Sequence, residues 1–437
     1  MEFDYNYFLT RIYNLFFITF LLSKNSLFYL YYKDSLKFIK DLTFDLERFN
    51  YTYIKILQSI SCNSLLFNSS QKEFLLQYTN QVPYNKLNLD NDLLIELENN
   101  FNGDLKILKD KPINSGIVAL VYQAYFWTTD LNSNKIENKI VIKVLKSDVT
   151  DLLNSALFDL DFFTKFFDYL PVLNNLNINK LVKFNKESII NQLDFTKEMD
   201  NINLWTNYAN KVDYLVVPKV FEEFTNYNRN ILALEFIESK PLSEISSDDK
   251  YQYCKNLIRT VFIGTFFYGI IHGDLHPGNV LFLENFTIGL IDFGIANKIS
   301  KEEQEAMYKF YKIALIQKNV KDASLTIKNL VYPEENLNNL SEEESLSFYE
   351  GVQEVIEKYF VNDPNLIKFI ISLSFVVNKY NLTLSKGFST TIYGISAGIN
   401  LNLELMQPKT HNPESEYNDL CISIIKELVN EIDFSLD

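Results

Sequence analysis

Cysteine and histidine are scarce in this sequence, with three of each in 437 residues. Cys62, Cys254 and Cys421 lie far apart and form no CxxC or Cys/His spacing. That argues against a disulfide framework or a zinc site and for a reducing, intracellular setting, cytoplasmic or peripheral to a membrane. Basic clusters are missing too: 41 Lys and Arg stand against 56 Asp and Glu, a formal net charge of −15. A surface of that sign repels phosphate backbones, so nucleic acid is not an expected partner. There is no internal repeat and no low-complexity linker. Long hydrophobic runs are lacking as well. "YNLFFITFLL", Tyr13 to Leu22, is about half the ~20 residues a spanning helix needs, and Arg11 and Lys24 flank it. Glu2 and Asp4 argue against an acid-poor presequence. The run reads as a packing helix, with a helix lying in a membrane interface, and hence a peripheral membrane contact, as the alternative.

What is abundant is apolar and aromatic: 47% hydrophobic residues, with 36 Phe and 27 Tyr. A chain of this length and content is expected to form two or three packed units. Residues 1 to about 100 carry apolar residues at helical spacing, as in "KDSLKFIKDLTFDLERF". The period then changes. "GIVALVYQAYFW" (Gly116 to Trp127) and "NKIVIKVLK" (Asn138 to Lys146), separated by the polar "TTDLNSNKIE", predict an antiparallel strand pair. Helical patterns return from Asp148 to about Trp205, strands at "DYLVVPKVF" and "NILALEFIE", and helices again after Pro241, except for a compact stretch from Ile270 to Ile295.

That compact stretch contains "HGDLHPGN", His272 to Asn279, followed by "DFG" from Asp292. "VLFL" and "TIGLID" should form a hairpin that returns Asn279 and Asp292 to one end, beside Asp274. One carboxylate and one amide oxygen suit Mg²⁺, which keeps waters and binds phosphates. Phosphoryl transfer needs that charge plus a carboxylate to orient the attacking hydroxyl. Asn279 and Asp292 are therefore expected to hold the metal and Asp274 to act as the base or orienting group. The two histidines lack the helix on which a zinc pair would sit. His272 is expected to brace the loop and His276 to act behind it.

A cation must meet the nucleotide phosphates. Lys143, mid-strand in "IVIKVLK", would be costly to bury without a partner, and Lys146 is its competitor for the role. Glu198 in "FTKEMDNIN" is the expected partner of Lys143. "ILALEFIESKPL" offers backbone groups near Glu235 and Ile237 to an adenine ring, with Leu234 behind it.

With these residues in place, the chain resembles the UbiB / aarF-domain family of atypical, protein-kinase-like proteins. "HGDLHPGN" and "DFG" match that family's H-x-D-x-H-P-G-N and DFG. Relatives of the octapeptide occur in aminoglycoside and choline phosphotransferases, but the 54 residues between Lys143 and Glu198 match a helical insertion typical of the UbiB-like family. The resemblance covers roughly residues 50 to 400. It implies an α+β, bilobal protein-kinase-like fold: a helical extension over 1–100, an N-lobe over 101–238 with a helical insert at about 148–190, and a mostly helical C-lobe over 239–437. It also implies ATP and Mg²⁺ as cofactors, with a lipid or a protein as acceptor and a link to isoprenoid-quinone metabolism.

The departures concern the nucleotide loop and the extension. "NSGIVA" places Asn114, Ser115 and Gly116 where the family has an alanine-rich loop, and Ser115 and Gly116 are expected at the phosphates. Gln192 stands for the glutamate of the family's E-x-D, Asp194 remains, and K-x-G-Q does not occur in "IKILQSISCNSLLFN". Three functions remain open: an ATP-dependent kinase or ATPase, a nucleotide-binding pseudokinase or scaffold, and a small-molecule phosphotransferase of the aminoglycoside or choline type.

Overall fold

The structure is a computed structural model and describes residues 5–62, 69–76, 91–130, 132–167, 186, 189–275, 277–362, 365–385, 388, 405 and 413–431. The chain divides into two compact units, Met1–Met199 with Lys219–Phe236, and Asp200–Pro218 with Ile237–Asp437.

The first unit opens with helices α1 (Tyr5–Tyr32), α2 (Ser35–Asn50), α3 (Thr52–Cys62), α4 (Ser69–Leu76) and α5 (Asn91–Asn100). Asp34 caps α2 by accepting the Lys37 amide at 2.9 Å, and Ile39, Leu42 and Leu46 form its buried stripe. Strands β1 (Leu105–Ile107), β2 (Asn114–Ser115), β3 (Ala119–Thr129) and β4 (Lys135–Leu145) follow, then helix α6 (Val149–Phe167). Helix α7 (Phe195–Ala209) begins in this unit and ends in the other. Next come β5 (Leu215–Val216), β6 (Val220–Phe221), helix α8 (Glu222–Tyr227) and β7 (Ile231–Glu235).

The first unit's sheet is antiparallel, in the order β1-β3-β4-β7-β6 with β2 on β3. The β3–β4 pair runs further than the sequence predicts, to Thr129↔Lys135. The reason is local: the Asp130 carboxylate accepts the amides of Asn132 and Asn134 and closes a tight turn. Strand alternation then sets the two faces. Leu120, Tyr122, Ala124 and Phe126 of β3 and Ile140, Ile142 and Val144 of β4 point into a core completed by α5 and α8. Val121 and Lys143, paired across the strands, belong to the opposite face. A second core joins Ile18 and Leu21 of α1, Leu42 and Leu46 of α2 and Tyr53 and Ile56 of α3 to Leu153, Ala156 and Leu157 of α6. Beside it the fully buried Asp159 carboxylate accepts from the Tyr53 hydroxyl at 2.8 Å and the Asn14 amide at 3.3 Å, and pairs with Arg11 at 3.6 Å.

In the second unit, β10 (Ile288–Leu290) lies parallel to β5 and antiparallel to β9 (Val280–Phe282). β8 (Ile270–His272) pairs with β11 (Ala296–Lys298). β5 and β6 are separated in sequence by Val217, Pro218 and Lys219 yet enter different sheets. Pro218 has no amide hydrogen with which to continue a ladder. The helices are α9 (Ser247–Ile263), α10 (Lys301–Tyr311), α11 (Val320–Thr326), α12 (Glu334–Asn338), α13 (Glu342–Ile356), α14 (Leu366–Lys379) and α15 (Pro413–Glu431). Ser246, Ser300 and Ser341 cap α9, α10 and α13, the last in a reciprocal box with Glu344. Their core is aromatic: Phe310, Tyr311, Phe360, Phe369 and Phe388 pack ring on ring. Gly269 turns the chain from the end of α9 into β8 at φ +62, where a Cβ would come within 3.2 Å of the Gln304 amide oxygen. Among the described residues no helix is long and apolar enough to cross a membrane.

Candidate active site

The first unit presents a lysine and a carboxylate. Lys143 lies between the buried Ile142 and Val144, so alternation turns it away from the core, with Val121 and Leu232 as strand neighbours. Its Nζ meets Glu198 Oε1 at 2.6 Å, with side-chain exposures of 13% and 5%. Glu198 sits in the first turn of α7, where a negative charge suits the helix dipole. The start of that helix is fixed by Asp194, whose Oδ1 accepts from the Thr196 amide at 3.0 Å and its hydroxyl at 2.6 Å. Lys146 has a different fate. It is 2% exposed, its Nζ has no hydrogen-bond partner and lies 4.9 Å above the Tyr51 ring, and burial lowers its pKa to about 8.

The expected nucleotide loop joins β2 to β3. Ser115 is buried opposite Leu120, and the Gly116 amide donates to the Ala119 carbonyl at 3.0 Å, closing the turn. The Lys146 amide donates to Val118 at 3.1 Å. Ile117 at the loop's centre packs with Ile54 of α3 and with Tyr51, so the extension touches the loop directly. No local pattern in the sequence announces that contact. Helix α3 also carries Lys55-Ile56-Leu57-Gln58, in which lysine and glutamine keep the K-x-G-Q spacing and Leu57 stands at the glycine position. Of the adenine-binding candidates, Leu234 is buried in β7 opposite Val141 and Val220. Glu235 exposes its side chain while its amide donates to Lys219 at 2.9 Å. Ile237, half-buried, belongs to the second unit.

The second unit holds the loop residues. His272 is buried against Phe293 and Trp205, with ring centroids 5.1 and 5.9 Å away, and its Nδ1 accepts the Asp274 amide at 3.3 Å. Asn279, also buried, donates its side-chain amide to the Asp274 carbonyl at 2.9 Å and accepts the Ile291 amide on its own carbonyl at 3.0 Å. The β9–β10 pairing, Val280↔Leu290, therefore continues one step to Asn279 and Ile291, and Asp292 follows at the same end. Asp292 adopts φ 63, a left-handed conformation that aspartate tolerates better than most residues, and its Oδ1 accepts the Gly294 amide at 3.3 Å. Asp274, Asn279 and Asp292 are thus tied into one turn system. His276 lies outside the described residues.

One contributor escaped the sequence reading. Asn201, three residues beyond Glu198 on α7, donates to the carbonyls of Phe293 at 2.9 Å and Ala296 at 3.1 Å, pinning the turn that contains Asp292. Its spacing from Glu198 was the available signal. Among the described residues no group of three or more His, Cys, Asp or Glu could hold a metal. A magnesium site does not require one, because one carboxylate, one amide oxygen, phosphates and waters suffice. Asn279 fits that donor set: its side-chain nitrogen is spent on the Asp274 carbonyl, and an amide oxygen is a donor that magnesium takes.

A lysine–glutamate pair in one unit and an H-x-D…N…DFG loop in the other define a kinase-like protein. The profile of the ABC1 atypical kinase-like domain matches residues 79–325, and the chain belongs to that family. An uncharacterized aarF domain-containing protein kinase from the chloroplast of Arabidopsis thaliana is 26% identical over 60% of this chain and 49% of its own length. A probable protein kinase UbiB of Actinobacillus pleuropneumoniae is 22% identical over 62% of this chain and 50% of its own. The chain spans about half the length of these curated relatives. Rv3197 of Mycobacterium tuberculosis, solved with erythromycin, has a TM-score of 0.47 and 15% identity over 86% of this chain and 91% of that one.

Proposed function

We propose that the chain binds Mg-ATP and moves its terminal phosphoryl group to an acceptor hydroxyl or to water, releasing ADP. The largely buried Lys143–Glu198 pair carries this reading. Buried ion pairs contribute little to stability, so a lysine held by a glutamate 55 residues away points to a task at the nucleotide. Lys143 would hold phosphate oxygens while Glu198 keeps its ammonium in place. Asn279 and Asp292 would hold Mg²⁺, which when bound neutralises charge on the phosphates. Asp274, its amide held by His272 and its carbonyl by Asn279, would orient the attacking hydroxyl. The family resemblance implies a lipid or a protein as acceptor and a link to isoprenoid-quinone metabolism.

Magnesium and ATP together should raise the thermal midpoint, and neither alone should match the effect. Asp292→Asn should lower Mg-dependent turnover by about 100-fold or more. Full turnover in that variant would refute the reading, and equal turnover in wild type and Asp274→Ala would favour a scaffold.

A further inference from the structure

Lys146 stands where three elements of the first unit meet. Its backbone amide donates to Val118 of the expected nucleotide loop at 3.1 Å, and its carbonyl accepts from Val149, the first residue of α6, at 3.2 Å. The side chain reaches the extension: Nζ lies 4.9 Å from the centre of the Tyr51 ring, at the end of α2. That ring packs with Ile54 of α3 and Ile117 of the loop. The lysine is buried, and its Nζ has no hydrogen-bond partner among the described residues. A cation so placed has given up water for a ring face and a distant attraction, which favours any movement that wets it.

The titratable groups around it have other tasks. Asp148, just before α6, attracts the ammonium, but its carboxylate accepts the Tyr51 hydroxyl at 2.8 Å. Burial and that carboxylate push the Tyr51 pKa far up, so the phenol keeps its proton. On α3, Tyr53 donates to Asp159 and Lys55 is half-buried. From β4, Lys143 pairs with Glu198. Gly116, Ile117 and Val118 bring no titratable side chain from the loop. Lys146 itself is held at about 8 by burial, against 10.5 in water. The closed junction therefore prefers the neutral amine and an opened, wetted one the ammonium.

We propose that Lys146 is a positioning residue for the nucleotide loop: its charge loosens the loop from the extension, and loss of the proton clamps the loop on Tyr51 and Ile54. The loop's part at the phosphates rests on the function proposed above; the clamp itself does not. With about 8 for the closed junction and 10.5 for the open one, opening should become about tenfold rarer between pH 7 and pH 9. Hydrogen exchange of the full chain without nucleotide, each rate divided by that of an unstructured peptide at the same pH, reads the opening at the amides of Gly116 and Lys146. In wild type their protection should rise about tenfold from pH 7 to pH 9 and stay below that of the β4 amides at both. Lys146→Arg, charged throughout, should keep the low value at both pH values, and Lys146→Met should keep the high one. A rise in Lys146→Met equal to that in wild type, or loop protection as high as that of β4, would overturn the proposal. Mg-ATP association, followed by stopped flow, should slow from pH 7 to pH 9 in wild type and be slow at both in Lys146→Met; equal rates in the two proteins at pH 7 would refute the positioning role. A wild type that binds no Mg-ATP would defeat the function proposed above and leave the exchange result standing.

Discussion

Lys146 costs stability, and replacing it should show how much. Burial holds its ammonium at about 8 instead of 10.5, and at 1.36 kcal/mol for each tenfold in proton affinity this is about 3 kcal/mol. That value already includes the attraction of Asp148, whose carboxylate also accepts the Tyr51 hydroxyl at 2.8 Å. The ring of Tyr51 beneath the ammonium returns about 1 kcal/mol. Lys146→Met, close in shape and without charge, should therefore raise unfolding free energy at pH 7 by about 2 kcal/mol. The sign of the pH dependence follows. Between pH 8 and 10.5 the unfolded chain holds a proton that the folded chain has lost, so native stability rises with pH across that window. The gain from Lys146→Met should be full below pH 8 and under about 1 kcal/mol at pH 10. Paired urea titrations at pH 7 and pH 10, followed by tryptophan fluorescence, measure it, since other titrating groups cancel between the two proteins. A variant less stable than wild type at pH 7, or an equal gain at both pH values, would refute the reasoning.

Glu198→Gln should destabilise the first unit by about 3 kcal/mol because it leaves a buried ammonium facing a neutral amide. The double variant with Lys143→Met should recover part of that loss in a double-mutant cycle. Asn201→Ala removes two donors from the Phe293 and Ala296 carbonyls. It should cost about 1–3 kcal/mol and speed amide exchange at Gly294 and Ala296. Tyr53→Phe takes a donor from the buried Asp159. It should cost about 1–3 kcal/mol and raise exchange in α1 and α3 before β3 and β4.

The parts of the fold legible in the sequence are those with a short period or a conspicuous exception to one. Strand alternation sets β3 and β4, and Lys143 stands out because it interrupts the apolar run of Ile142 and Val144. The β9–β10 hairpin was readable because two short apolar runs flank the turn at Glu284 to Thr287. Contacts across long stretches left no such mark. Arg11 and Asn14 reach Asp159, and Ile54 reaches Ile117, through packing that no local window encodes. The division of "DYLVVPKVF" between two sheets is equally silent, because each strand taken alone has the same β-branched composition.

The extension's altered signature has a physical counterpart. With Leu at position 57, α3 gains a side chain that packs on the cluster joining α1 and α2 to α6. A glycine there would leave that space unfilled and weaken the helix by about 1 kcal/mol relative to alanine. Gln58, one residue on, is buried and donates to the Leu75 carbonyl at 2.8 Å, tying α3 to α4. The same helix presents Ile54 to Ile117. Position 57 therefore anchors α3 to the insert helix, and α3 in turn anchors the loop that Ser115 and Gly116 begin. The loop cannot shift far without opening an apolar contact on the extension, so its position is set by α3 packing as well as by its own turn.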